Sequence, residues 1–95
     1  MKRYEAIPNR HYRNNKTGAT ASLYGAHPAT SAGDFKNWAV IENGYTIRDN
    51  VEGRVGGFMA CPSGSSKDHA EGVAAALNET LRQRYIKAGQ AYPFD

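Results

Sequence analysis

Hydrophobic and polar positions follow two different periods along this chain. From Ala70 onward the apolar residues are Ala70, Val73, Ala74, Leu77, Leu81 and Tyr85. That 3–4 spacing makes one stripe on an amphipathic helix. Ser65 with Asp68 three residues on forms a capping box at its start, and Ser66 is the competing cap. Asn78, Glu79, Arg82 and Gln83 fall on the wet side, and Arg82, Arg84 and Lys87 complement the dipole ahead of a stop at Gly89. Upstream the period is shorter. Tyr4 to Ile7 reads as a strand stopped by Pro8, and Asn14 to Gly18 as a turn. Ala19 to Tyr24 alternates as a second extended segment. Pro28 and the run Ala29 to Gly33 read as a loop, with a helical turn before Trp38.

The sharpest local signal is Asn43-Gly44, a pair suited to a two-residue type I′ turn because both positions need φ above zero. It predicts a hairpin over Trp38 to Asp49. Counting outward, Glu42 faces Tyr45, Val40 faces Ile47 and Trp38 faces Asp49, while Ile41 faces Thr46 and Ala39 faces Arg48. Trp38, Val40 and Ile47 form the buried side. A turn at Asn50 to Gly53 leads into a third strand of the meander, Arg54 to Met59, with a bulge at Gly56-Gly57. The expected architecture is α+β: a three- to four-stranded antiparallel sheet covered on one face by a single C-terminal amphipathic helix. Residues 1–95 read as one compact domain, with a basic segment over 1–16 and a short tail over 90–95.

Charge adds an asymmetry to this picture. The formal net charge is +3, yet Lys2, Arg3, Arg10, Arg13 and Lys16 oppose only Glu5 in residues 1–16, so that segment carries +4. Tyr4, His11 and Tyr12 interleave with those cations. Phosphates docked on the basic groups and bases stacked on the rings are one use of such a stretch; a charged, solubilised edge strand is the other. Asp34, Glu42, Asp49 and Glu52 make the middle of the chain acidic and suited to a basic protein groove. No apolar run approaches the roughly 18 residues of a membrane span. The opening Met1 to Glu5 lacks the apolar core of a secretory leader, so a cytoplasmic location is expected. The single cysteine, Cys61, excludes an internal disulfide framework.

Candidate chemistry is sparse. Cys61 to Lys67 echoes the phosphate loop of cysteine phosphatases, but its seventh residue is Lys67 where those loops need an arginine fork. Cys61 therefore reads as a small buried residue and the chain as no enzyme. Gly64 with Ser65, Ser66 and Lys67 provides amides, hydroxyls and a cation at a helix start, a candidate anion site. His11, His27, His69 and Cys61 match no metal-ligand spacing, so neither metal nor cofactor is expected. Trp38, Phe35, Phe58 and Tyr85 read as core, leaving Tyr4, Tyr12, Tyr24 and Tyr45 as interface candidates.

The stretch Thr17 to Ala26, the Trp38 to Arg48 segment, Gly53 to Gly56 and Ser66 to Asn78 together resemble small phage and prophage accessory proteins of the anti-CRISPR kind. The likeness is one of layout over residues 17 to 78, with no diagnostic motif to carry residue roles across. It implies a non-enzymatic inhibitor in the bacterial host cell that binds a CRISPR–Cas effector, protein or ribonucleoprotein, and blocks target DNA or a conformational step. Glu42, Tyr45, Asp49, Glu52 and Tyr24 are the residues expected to meet such a partner. The alternative is a small nucleic-acid-binding module using Arg3, Arg10, Tyr12, Arg13 and Lys16. Edge-to-edge pairing into a homodimer is a further expectation.

Overall fold

The computed structural model describes residues 1–24, 26–29 and 35–95, so most of the expected Ala29 to Gly33 loop, and Asp34, lie outside the described residues. Strands β1 (Tyr4–Asn14), β2 (Thr20–Ser22) and β3 (Trp38–Asp49) form a three-stranded antiparallel sheet in the order β2-β1-β3, followed by one helix, α1 (Lys67–Lys87). This is the expected α+β class. The chain divides into two compact units, Met1–Pro8 with Gly44–Asp95, and Asn9–Asn43.

Three strand boundaries differ from expectation, each for a physical reason. β1 does not stop at Pro8. β2 pairs only with His11, Tyr12 and Arg13, so β1 still has an open edge at Pro8, where a missing N–H costs no ladder bond. Asn43-Gly44 does not turn the chain; β3 runs through it for 12 residues, and the five pairs counted outward from a turn do not form. Gly44 does have the positive φ the turn would need, 64°. It uses that conformation within a strand, as a bulge does. A Cβ at this position would stand 2.5 Å from the Gly64 carbonyl oxygen and 2.6 Å from that of Ser65. The glycine therefore serves close approach of two backbones. Third, Arg54 to Met59 forms no strand but single bridges, Arg48↔Val55 and Phe58↔Cys61, because Gly56 and Gly57 both take φ near +77° and turn the chain. The second segment is shorter than Ala19 to Tyr24 and alternates as expected, with Ala21 half-buried between exposed Thr20 and Ser22.

The core of the first unit lies between strand and helix. Ile47, Cys61, Ala70 and Ala74 are buried, with Tyr4, Ala6, Tyr45, Phe58, Val73 and Leu77 packed against them. The helix stripe is thus as read, except that Asn78 is not on the wet side. Its amide accepts from the Tyr4 N–H at 3.0 Å and donates to the Tyr4 carbonyl at 2.9 Å, splicing helix to strand. Ser66, not Ser65, caps α1, accepting from the His69 N–H at 3.2 Å. Gly89 ends it: Gln90 N–H reaches Tyr85 O at 2.9 Å and Gly89 N–H reaches Ile86 O at 3.0 Å, the paired bonds of a Schellman motif. The tail packs as a strap, Tyr92 edge-on to Tyr85 at 5.7 Å and to Phe94 at 5.5 Å. Val40 and Phe35, expected inside, are 52% and 57% exposed.

Candidate functional site

Two surfaces, one on each unit, carry most of the chemistry. On the first unit, the chain leaves β3 through two consecutive tight turns. Asp49 organises the first. Its carboxylate is almost fully buried and accepts from Arg3 Nη2 at 3.2 Å, Arg3 Nε at 3.3 Å, the Val51 N–H at 2.9 Å and the Glu52 N–H at 3.2 Å. Burial alone would raise its pKa; the Arg3 bond and the two amides outweigh burial and hold the carboxyl below the usual aspartate value. The Arg3 guanidinium is in turn stabilised as a cation, chiefly by its bond to Asp49. Asn50 ties the same turn to β1, donating to the Arg3 carbonyl at 2.7 Å and the Lys2 carbonyl at 2.9 Å.

The second turn runs from Phe58 to Cys61 and is closed by the Cys61 N–H to Phe58 O bond of 3.1 Å. Beneath it, Arg54 lies 4.4 Å over the Phe58 ring, and Phe58 meets Tyr4 edge-on at 5.9 Å. His69 Nε2 is 2.7 Å from the Ala60 carbonyl, anchoring the turn to the start of α1. The tips of these pinned turns are apolar: Met59 is 99% and Val51 54% exposed.

On the second unit the turn after β1 is built around Asn14, whose side chain accepts from the Lys16 and Thr17 N–H groups at 2.9 and 3.0 Å. The Asn15 N–H then bonds the Asn37 carbonyl at 2.7 Å, drawing this turn against the 3-10 turn Phe35–Asn37. Three rings meet in a tilted series beside it. Tyr12 and His27 have centroids 4.7 Å apart, His27 and Phe35 5.0 Å apart. The Ala29 N–H donates to His27 Nδ1 at 3.1 Å, which sets the imidazole plane.

Several residues expected at a partner surface have other employment. Tyr45 is half-buried against the core and bridges to Ser65, and Asp49 is the buried turn organiser just described. Glu42 is exposed but paired with Arg10 at 3.0 Å. Glu52 and Tyr24 do stand at the surface, Glu52 within 3.7 Å of Arg3 and Tyr24 69% exposed. Of the basic set, Arg3 and Arg10 are consumed by ion pairs, whereas Arg13 and Lys16 are exposed. At the helix start the Ser65 hydroxyl donates to the Pro62 carbonyl and Ser66 is the cap, so both hydroxyls of the candidate anion site serve the loop itself.

Cys61 is a free thiol, 1% exposed, within the core. A groove of about 500 Å³ beside α1 is lined by Lys2, Asn78, Arg82, Tyr92 and Phe94, with Glu79 and Asp95 supplying the opposite charge. Among the described residues no helix is long and apolar enough to cross a membrane, and no three His, Cys, Asp or Glu residues converge as metal ligands. Sequence reasoning missed Met59, Val51, Phe35, Lys36 and His27. An apolar residue between turn-formers was the available signal for Met59; the ring series had none, since its members meet only through the loop. No family model matches the chain, and neither characterised proteins nor solved structures yield a match.

Proposed function

We propose that this chain is a non-enzymatic binding protein that occludes a protein partner, and that the paired turns over residues 49–61 are its contact surface. The observation that carries the reading is Met59, 99% exposed at the tip of a hydrogen-bonded turn. Keeping a large apolar side chain in water gains the free protein nothing, whereas burying one against a partner releases roughly 1.5–3 kcal/mol. The bonds made by Asp49, Asn50 and His69 hold the turns before any partner arrives, so little conformational entropy is lost on docking. Methionine adapts to irregular pockets, and Val51 and Glu52 on the preceding turn add a second exposed apolar side chain and a charge.

Stoichiometric occlusion is how the anti-CRISPR-like layout would act, and a bacterial CRISPR–Cas effector is the partner that the resemblance implies. The test is a tagged pull-down from bacterial lysate expressing such a system, with and without nuclease. The effector should be retained in stoichiometric amount after nuclease and lost on Met59→Glu or Val51→Glu. Failure to retain any effector, or retention indifferent to both changes, would refute the reading.

A further inference from the structure

We infer that the second unit carries a separate site for single-stranded nucleic acid, with Phe35 as the stacking platform and Lys16 and Lys36 as phosphate contacts. It rests on different residues from the protein-binding turns and stands or falls independently of them.

Tyr12 belongs to β1, His27 meets it inclined by 57°, and Phe35 meets His27 inclined by 31°. Phe35 is therefore the outer member of the series, and it is 57% exposed. A half-exposed ring at the end of that tilted series offers apolar surface to a further flat group. Nucleobases fit that role because each has a π-face, whatever its identity.

Charge selects the same class of ligand. In sequence this unit holds Arg10, Arg13, Lys16 and Lys36 against Asp34 and Glu42, four cations to two acids, and Arg10 holds Glu42 at 3.0 Å. Arg13, Lys16 and Lys36 are exposed and form no ion pair among the described residues. Geometry gathers two of these cations. The Asn15 N–H to Asn37 O bond of 2.7 Å joins the two turns, and Lys16 and Lys36 each lie one residue from it. Lys36 also adjoins Phe35 in the chain. An exposed ring, with lysines on the two turns that the Asn15–Asn37 bond joins, is complementary to a base with its flanking phosphates. An acidic protein segment would use the charges but leave the ring face without its stacking partner. Duplex DNA would use the charges too, but its bases are already stacked on one another.

The test measures fluorescence anisotropy of a labelled 15-residue oligothymidine, and of a duplex of equal length, titrated with the full chain from low to moderate salt. The single strand should bind more tightly than the duplex. Phe35→Ala should weaken single-strand binding about tenfold and leave the salt slope unchanged, because it removes a stacked base and no charge. Phe35→Trp should restore or strengthen binding, which separates stacking from any disturbance of the fold. Lys16→Ala with Lys36→Ala should flatten the slope of log K against log salt by about 1.4, or ~0.7 for each phosphate no longer neutralised. Met59→Glu should change none of these values. Equal affinity for duplex and single strand, indifference to Phe35→Ala, absence of binding at about 50 mM salt, or displacement of the strand by an acidic protein through residues other than Phe35 would each overturn the inference.

Discussion

Gly44 offers a direct test of why β3 continues where a hairpin is expected. In a type I′ turn, asparagine in place of Gly44 is a mild change, since asparagine tolerates positive φ and its side chain points into solvent. In the strand, any Cβ at Gly44 stands 2.5–2.6 Å from the Gly64 carbonyl carbon and oxygen and the Ser65 carbonyl oxygen. All three are backbone atoms, so no rotamer change relieves the collision. The 62–66 loop must withdraw, breaking Tyr45 N–H to Ser65 O (2.7 Å) and Gly64 N–H to Tyr45 O (3.2 Å). At about 1 kcal/mol each, these bonds alone account for about 2 kcal/mol. Loosened packing over Tyr45 brings Gly44→Asn to about 2–3 kcal/mol. Gly44→Ala adds about 1–2 kcal/mol for a left-handed alanine. A chain of 95 residues has about 5–14 kcal/mol of stability in all. Urea unfolding reads the Gly44→Asn effect as a midpoint lowered by about 2–3 M at an m value of ~1 kcal/mol/M. Gly53→Asn is the control: its φ is 71° and nothing lies within 4 Å of its Cβ position. If Gly44→Asn proves as harmless as Gly53→Asn, the close-approach account of β3 is wrong.

Other consequences can be measured the same way. Asn78→Ala removes both bonds to Tyr4 and should cost about 1–3 kcal/mol, read as a shifted urea midpoint with unchanged m. Ile47→Ala empties a fully buried position and should cost about 2–5 kcal/mol by the same assay. Because the folded protein holds the Asp49 carboxyl below its ordinary value, its contribution is complete above about pH 4 and disappears as pH falls through the lowered value. Asp49→Asn should therefore lower stability at neutral pH and flatten the acid limb of a midpoint-against-pH curve; an acid limb as steep as the wild type's would contradict the assignment.

The helix was legible because its information is local: the apolar stripe, the Ser66 cap and the Gly89 stop all lie within the segment they specify. Asn43-Gly44 misleads for an equally physical reason. A turn and a bulge make the same demand on φ, and what separates them is contact with Gly64, about 20 residues away in sequence and invisible to any local pattern. Asn78 shares that difficulty. It falls four residues after the buried Ala74, on the border of the stripe, but its two bonds are to a backbone 74 positions distant. The charged residues show a further limit: composition counts Arg3, Arg10, Glu42 and Asp49 as available, and only the fold reveals that they neutralise one another. Met59 is exposed because the left-handed pair Gly56-Gly57 ends pairing just before it, so a residue that alternation assigns to a strand becomes a tip.

The division of the chain also bears on how it acquires its structure. The second unit, Asn9–Asn43, is continuous in sequence, whereas the first is assembled from Met1–Pro8 and Gly44–Asp95. One unit is thus an insertion in the other. During synthesis the inserted segment has all of its own partners long before α1 has been made, and its short-range contacts are the kind that form quickly. The start of β1, up to Pro8, must wait: the helix carrying Ala70, Ala74 and Asn78 is among the last parts translated. Once the insert has folded, it no longer behaves as a flexible loop to be closed, and joining Pro8 to Gly44 costs less chain entropy. An insert that completes early thus leaves a shorter effective loop between the two sequence-distant halves of the first unit.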